Sequence, residues 1–131
     1  MTLPAVGIDL VHIPGFREQL ALPGSTFERV FSAQELRVVE TKPDRALHLA
    51  GRWAAKEAFI KAWSQSLYGS PPLMGLDDVD FSEVEVIPDR WGRVALNLRG
   101  EVARCVGTPQ TSLSISHDGD YAVAVCQFVA E

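Results

Sequence analysis

The segment that most constrains the fold runs from Leu49 to Trp63 and reads LAGRWAAKEAFIKAW. It is rich in residues that favour helix, and it contains no Pro and a single Gly. Its apolar side chains spread over nearly the whole circumference, so we expect a helix that is covered on several sides. We place this helix at about 44–67, after Pro43 and before a Gly- and Pro-rich loop at 68–75.

Two charged residues of this helix, Glu57 and Lys61, stand four residues apart on one face among apolar neighbours. On an exposed helix such a pair contributes only about 0.2–0.5 kcal/mol. Among Trp and Ala side chains, both charges lose hydration unless a partner or a ligand compensates. Solubility alone therefore does not explain them.

The amino-terminal segment 3–11 alternates with a period of two residues, which predicts a strand. Val6, Ile8 and Leu10 share one face of this strand. Asp9 points to the other face, away from that apolar set.

The remaining elements predicted are short helices at about 14–20, 33–40 and 101–106, and hairpins that pair 81–87 with 94–98 and 111–117 with 121–129. The pair Asp118-Gly119 is a strong signal for the second hairpin. Small residues at Ala122 and Ala124 should let a helix approach the last strand closely. We predict an α+β fold, with a mostly antiparallel sheet packed against one long central helix, in a single domain over 1–131.

The composition excludes several classes of partner. The chain has a formal net charge of −5 and no run of Lys or Arg, which argues against nucleic acid. No apolar run reaches the roughly 20 residues of a membrane span, and no signal-peptide pattern is present. Cys105 and Cys126 lack CxxC spacing and should be reduced. We expect a cytoplasmic protein with no nucleic-acid or membrane partner.

Asp9, which we expect at the end of a strand, and Glu57, in the middle of the long helix, are the first candidates for a metal site, because packing of a helix on a sheet can bring them together. Two carboxylates suit Mg²⁺, whereas the chain lacks the His and Cys clusters that favour zinc. Other interpretations remain open at this stage: Asp9 could cap a helix, and Glu57 could form a structural ion pair with Lys61.

Arg52, Lys56 and Lys61 add cations to the same helix, and His117 ends a strand beside a turn. A metal flanked by Arg and Lys suits a polyphosphate better than a sugar or a peptide. Arg52 and Lys56 are equally compatible with a solvated helix face. Because Ser116 and His117 are adjacent in a strand, they point to opposite faces, which argues against a Ser–His hydrolase.

Three ordered motifs resemble those of the holo-acyl-carrier-protein synthases, the small 4′-phosphopantetheinyl transferases. GIDLV at 7–11 resembles the family motif G-x-D, RWAAKEAFIKA at 52–62 resembles W/F-x-x-K-E-A-x-x-K-A, and SISH at 114–117 resembles S-x-[ST]-H. The resemblance implies transfer of 4′-phosphopantetheine from coenzyme A to a serine of apo-acyl carrier protein. The products would be holo-acyl carrier protein and 3′,5′-ADP.

By this resemblance, Asp9 and Glu57 would bind Mg²⁺ or Mn²⁺, and Arg52, Lys61 and His117 would bind the phosphates of coenzyme A. Glu57 and Lys61 would be catalytic. Glu57 would take the serine proton directly or through a water molecule, and Lys61 would offset charge on the leaving group.

The resemblance also covers a turn and the partner surfaces. Gly92 and Arg93 follow Trp91 in a turn that is similar to the family's N-G-K/R-P turn near the nucleotide. The basic first helix of the family docks the acidic carrier protein, and here Arg17 and Arg29 are the expected docking residues. The family further implies a homotrimer whose active sites lie between subunits.

Two other function classes remain open from the sequence. A metal-dependent nucleotide pyrophosphatase would hydrolyse coenzyme A without a carrier protein. A non-catalytic subunit would bind coenzyme A without turnover.

Overall fold

The structure is a computed structural model that describes residues 3–130. The strands of this part are β1 (Ala5–His12), β2 (Val84–Pro88), β3 (Val94–Leu98), β4 (Gln110–Asp118) and β5 (Tyr121–Val129), and the α-helices are α1 (Ile13–Ala21), α2 (Ala33–Glu40), α3 (Arg45–Ser66) and α4 (Gly100–Val106). Short 3₁₀ turns lie at Phe27–Val30, Leu76–Asp78 and Phe81–Glu83. The α+β architecture is confirmed, and within residues 3–130 no helix has the length and apolar character needed to cross a membrane.

The strands form an antiparallel sheet in the order β1-β5-β4 and a separate β2–β3 hairpin. Asp44 caps the start of helix α3, and its side chain accepts a hydrogen bond from the Leu47 amide at 3.1 Å. It lies across the sheet and packs mainly against β1 and β5. Ala58, Phe59 and Ala62 are completely buried there, as expected for a central helix.

Helix α3 and strand β1 approach each other unusually closely at Gly7. A Cβ atom on Gly7 would lie 1.9 Å from the carbonyl oxygen of Ala58 and 2.6 Å from the amide nitrogen of Ala62. Because both are backbone atoms, no side-chain movement can make room. The absence of a side chain at Gly7 therefore sets how near β1 lies to the helix.

Three large apolar residues of β1 do not face α3. Val6, Ile8 and Leu10 are 54%, 57% and 61% exposed, whereas Gly7 and Val11 are buried against the core. Asp9 shares the face of Gly7, so its side chain points toward the helix. It lies within the strand, three residues before the last residue of β1, and not at the strand end as expected.

Candidate active site

Asp9, Glu57 and Lys61 form a compact charged cluster between β1 and α3. The Lys61 ammonium lies 3.1 Å from the Asp9 carboxylate and donates to the Ile8 carbonyl at 3.1 Å. The Asp9 carboxylate lies close enough to Glu57 to raise the pKa of the Glu57 carboxyl group. Asp9 caps no helix in the described residues, and its carboxylate, not that of Glu57, forms the ion pair with Lys61. The sequence-based suggestions of a cap and of a Glu57–Lys61 pair are therefore wrong.

The Glu57 carboxyl has a strongly perturbed acidity. Burial raises its pKa, the neighbouring Asp9 carboxylate raises it further, and Lys61 only partly opposes them, so that the pKa is about 7. Two crowded carboxylates favour a proton or a cation between them. Within residues 3–130 no group of three or more metal-binding side chains gathers. A site of two carboxylates fits Mg²⁺, which usually completes its octahedron with water and substrate oxygens.

A cavity of about 740 Å³ opens beside this cluster, between α3 and the segment that follows it. Glu57 and Lys61 are part of its wall, and most of the rest is apolar, including Trp53, Ile60 and Phe81. A seven-residue spacing in the sequence indicates this cavity. Trp53 and Ile60 on α3, and Leu67 directly after its last residue, line the cavity on a face that is not packed on the sheet.

A second cluster brings together His117, Arg52 and His48, the last of which the sequence did not single out. The two imidazole rings lie 6.4 Å apart, and Arg52 donates to the His48 carbonyl at 3.4 Å. Burial, and then the nearby Arg52 guanidinium, lower the pKa of His48. Arg52 is only 7% exposed, and its Nε has no hydrogen-bond partner. Gly51 makes room for His117, because a Cβ there would lie 2.8 Å from its Nε2.

The two clusters lie on opposite sides of α3. Arg52 and Lys61 are nine residues apart, which is about two and a half helical turns and about 13–14 Å along the axis. Asp9 and His117 lie on β1 and β4, the strands on either side of β5, about 10 Å apart across the sheet. One chain therefore does not gather Lys61 with Arg52 and His117 around a single phosphate group.

The turn between β2 and β3 presents a cationic and aromatic surface. Gly92 has a φ of +83°, which a residue with a side chain rarely adopts. Trp91 is 69% exposed, with the guanidinium carbons of Arg90 and Arg93 at 5.0 and 4.8 Å from its ring centre. Arg93 also pairs with Asp89 at 2.7 Å.

The two expected docking residues differ in their surroundings. Both terminal nitrogens of Arg17 donate to the Asp44 carboxylate, at 3.1 and 3.2 Å. This pairing first, and the Leu47 amide next, lower the pKa of Asp44. Arg29 is exposed in the turn at Phe27–Val30. Arg17 therefore secures the start of α3 as well as presenting charge at the surface.

Lys56 does not belong to either cationic cluster. Its side chain is completely buried and pairs with Glu35 at 2.8 Å. The interpretations of Lys56 as a solvated residue and as one of the cations that flank a metal and a polyphosphate are therefore both wrong.

Comparison with known proteins agrees with this geometry. Residues 5–126 match the profile of the 4′-phosphopantetheinyl transferase superfamily. A holo-[acyl-carrier-protein] synthase of Corynebacterium efficiens is 57% identical in an alignment 128 positions long that covers 93% of this chain and 91% of that protein. The structure described as the Chronobacterium ammoniagenes ACPS-CoA complex superposes with a TM-score of 0.94 at 60% identity, covering 98% of each chain. The acyl carrier protein synthase of Mycobacterium tuberculosis superposes with a TM-score of 0.77 at 38% identity, covering 97% of each chain. The chain therefore belongs to the 4′-phosphopantetheinyl transferase superfamily, among the holo-[acyl-carrier-protein] synthases.

Proposed function

We propose that the protein transfers 4′-phosphopantetheine from coenzyme A to a serine of apo-acyl carrier protein, with a requirement for Mg²⁺ or Mn²⁺. The observation that carries the proposal is the pair of adjacent carboxylates, Asp9 and Glu57, beside Lys61 and a large cavity. The names of the relatives support the reaction, and a related structure in complex with CoA supports the donor.

In this reaction the serine hydroxyl oxygen attacks the β-phosphorus of coenzyme A. The bond from that phosphorus to the bridging oxygen breaks, and 3′,5′-ADP leaves with the electron pair. Asp9 and Glu57 would hold the Mg²⁺, which neutralises charge on the pyrophosphate when bound. Lys61 would offset charge on the leaving group, and Glu57 would take the serine proton directly or through water.

The apolar cavity next to Glu57 and Lys61 suits the phosphopantetheine arm, which is long and mostly uncharged. The nucleotide end carries the 3′-phosphate and needs separate cations. Arg52 and His117 would supply them, together with the turn that contains Gly92 and Arg93. Since Arg52 and Lys61 lie on opposite sides of α3, we propose that each bound coenzyme A takes its phosphate contacts from two subunits.

A trimer would provide such shared sites. The outer face of the three-stranded sheet exposes Val6, Ile8 and Leu10 from β1, and Tyr121 and Val125 from β5. A continuous apolar face of this kind is typical of a subunit interface. The exposed face supports association, and the number of three subunits comes from the family resemblance.

Docking of the carrier protein is proposed at Arg17 and Arg29. The net charge of −5 would repel an acidic partner, so attraction must come from a local basic patch within about a Debye length of 8–10 Å. Arg29 is exposed, whereas Arg17 is shared with Asp44. We therefore expect Arg29 to contribute more of the attraction.

One incubation tests the reaction. The protein is mixed with coenzyme A, Mg²⁺ and apo-acyl carrier protein, and all species are followed by mass spectrometry. Transfer adds phosphopantetheine to the carrier protein and produces 3′,5′-ADP in equal amount. Hydrolysis of coenzyme A without a carrier protein would instead indicate a nucleotide pyrophosphatase, and binding without turnover would indicate a non-catalytic subunit.

Variants assign the metal site. Asp9→Ala and Glu57→Ala should each lower turnover by orders of magnitude while the circular dichroism stays that of a folded protein. Glu40→Ala removes an exposed carboxylate on α2 and serves as the matched control. Full activity of either site variant in the presence of a chelator contradicts the assignment.

A further inference from the structure

Lys56 lies in the central motif next to Glu57, yet the proposed reaction does not use it. Its ammonium is completely buried and makes three short polar contacts. It pairs with the Glu35 carboxylate at 2.8 Å and donates to the carbonyls of Phe81 at 2.8 Å and Val84 at 2.6 Å. All three donor hydrogens of an ammonium are thereby used.

Glu35 extends the network to a second helix and to β2. One of its carboxylate oxygens accepts from the Ser32 amide at 2.8 Å, and the other accepts from the Val86 amide at 2.8 Å. The Lys56–Glu35 pair therefore ties α2, α3 and the backbone of residues 81–86 together at one buried point.

This buried point also fixes one wall of the cavity. The segment after α3 is exposed over most of residues 68–78, and the chain is fully buried again at Val84, three residues after Phe81. The Phe81 ring packs against Trp53 at 4.9 Å, and both residues line the cavity. Lys56 holds the backbone of Phe81, whereas its neighbour Glu57 faces into the cavity from α3.

We propose that Lys56 is a positioning residue, which sets the distance between the cavity wall at Phe81 and the α3 residues Trp53 and Glu57, and thereby sets the affinity for the arm of coenzyme A. This inference rests on the proposed function, because it assigns the cavity to that arm. The Lys56 ammonium acts through the backbone carbonyls that it binds and does not contact the substrate.

A purely stabilising pair would behave differently from a positioning pair. Buried ion pairs are often replaceable by apolar residues without loss of stability. If the pair only stabilised the fold, an equally destabilising substitution at an unrelated core position would change the kinetics in the same way. A positioning role instead predicts weaker binding of coenzyme A at equal stability, because only residues 81–86 are released.

The experiment compares Lys56→Met and the double variant Lys56→Met with Glu35→Gln, which leaves no unpaired buried charge. Phe128→Leu is the matched control, since Phe128 is buried against Phe59 at the far end of the sheet, four residues along β5 from the partner of Asp9. Steady-state kinetics are measured at temperatures where each variant retains the circular dichroism of the wild type.

For the double variant we expect the KM for coenzyme A to rise roughly tenfold, the scale of one displaced contact, while kcat stays nearly constant. Hydrogen exchange should become faster in peptides that span residues 76–86. Phe128→Leu should leave both the KM and the exchange of those peptides unchanged. Lys56→Met alone should show the same changes or fail to fold because its Glu35 charge is left unpaired.

An unchanged KM in a folded double variant overturns the proposal, as does an equal rise in Phe128→Leu. The exchange measurement needs no turnover, so it separates this inference from the proposed function. If the wild type fails to transfer phosphopantetheine, the proposed function fails. If exchange at residues 76–86 is unaffected in the double variant, the positioning role itself fails.

Discussion

Replacement of Gly7 by Ala should damage the metal site from a position that holds no metal ligand. Gly7 lies two residues before Asp9 on the same face of β1, and its α-carbon is pressed against the backbone of α3. The helix residues opposite it, Ala58 and Ala62, directly follow Glu57 and Lys61 in sequence. The contact at Gly7 therefore fixes the separation between Asp9 and Glu57.

The size of the perturbation follows from one distance. The added methyl group would lie 1.9 Å from the Ala58 carbonyl oxygen, whereas ordinary contact begins near 3.4 Å. The strand and the helix must therefore separate locally by about 1.5 Å, and overpacking of this kind costs roughly 1–3 kcal/mol of stability. Mg²⁺ requires its ligands at about 2.0–2.1 Å, so a shift of this size removes one carboxylate from its reach.

We expect Gly7→Ala to weaken Mn²⁺ binding by roughly 10–100-fold, the loss seen when a supporting residue of a metal site is changed. Electron paramagnetic resonance of free Mn²⁺ measures this affinity without any substrate. Gly15→Ala is the matched control, because the same change on α1 meets only the His12 imidazole, at 3.2 Å. A folded Gly7→Ala protein that binds Mn²⁺ as tightly as the wild type would refute the reasoning.

Three further predictions concern acidity, assembly and docking. Because the folded protein raises the pKa of Glu57 from 4.5 to about 7, its contribution to stability without metal is present below about pH 4.5 and is lost as the pH rises through 7. The affinity for Mg²⁺ should rise over the same pH range, because the metal replaces the proton on Glu57. Calorimetry in two buffers of different ionisation enthalpy detects the released proton. An affinity that does not change with pH contradicts the raised pKa of Glu57. Ile8→Asp places a charge on the exposed face of β1 and should turn a trimer into monomers in sedimentation, whereas a wild type that is an active monomer removes the argument for shared sites. Arg29→Glu should raise the KM for carrier protein, most steeply at low salt, and more than Arg17→Glu does; a normal KM in both variants places docking elsewhere.

Local features of the chain could be predicted from sequence because they depend on residues close to one another. Ser32 and Glu35 form the expected capping box, with bonds of 3.1 and 2.8 Å between side chain and backbone. The hairpin between β4 and β5 forms as expected, but its two-residue turn is Gly119-Asp120, one residue later than predicted, because Asp118 is still paired with Tyr121 at the end of β4. Both the first and the last residue of the long helix lie within one residue of the predicted positions. Periodicity and turn chemistry were sufficient for each of these elements.

The meeting of Asp9 and Glu57 could be anticipated from the sequence only as a possibility, because packing of a helix on a sheet permits many pairings. The structure selects this one through Gly7, which lets β1 contact the backbone of α3. The same packing gives Lys61 a partner 52 residues away in sequence, instead of the Glu57 four residues before it.

Which surfaces are buried was decided only by the tertiary structure. A period of two residues divides β1 into two faces but does not say which face meets the helix, and here the face with the larger apolar side chains stays exposed. Helical spacing likewise placed Lys56 beside other cations, although Glu35 and two backbone carbonyls from distant parts of the chain draw it into the core. Helix geometry separates Arg52 from Lys61, but the way α3 lies across the sheet decides that Lys61 meets Asp9 of β1 and that Gly51 meets His117 of β4. The sequence determined the elements and the residue types of the site, and the packing of elements distant in sequence determined which of those residues share it.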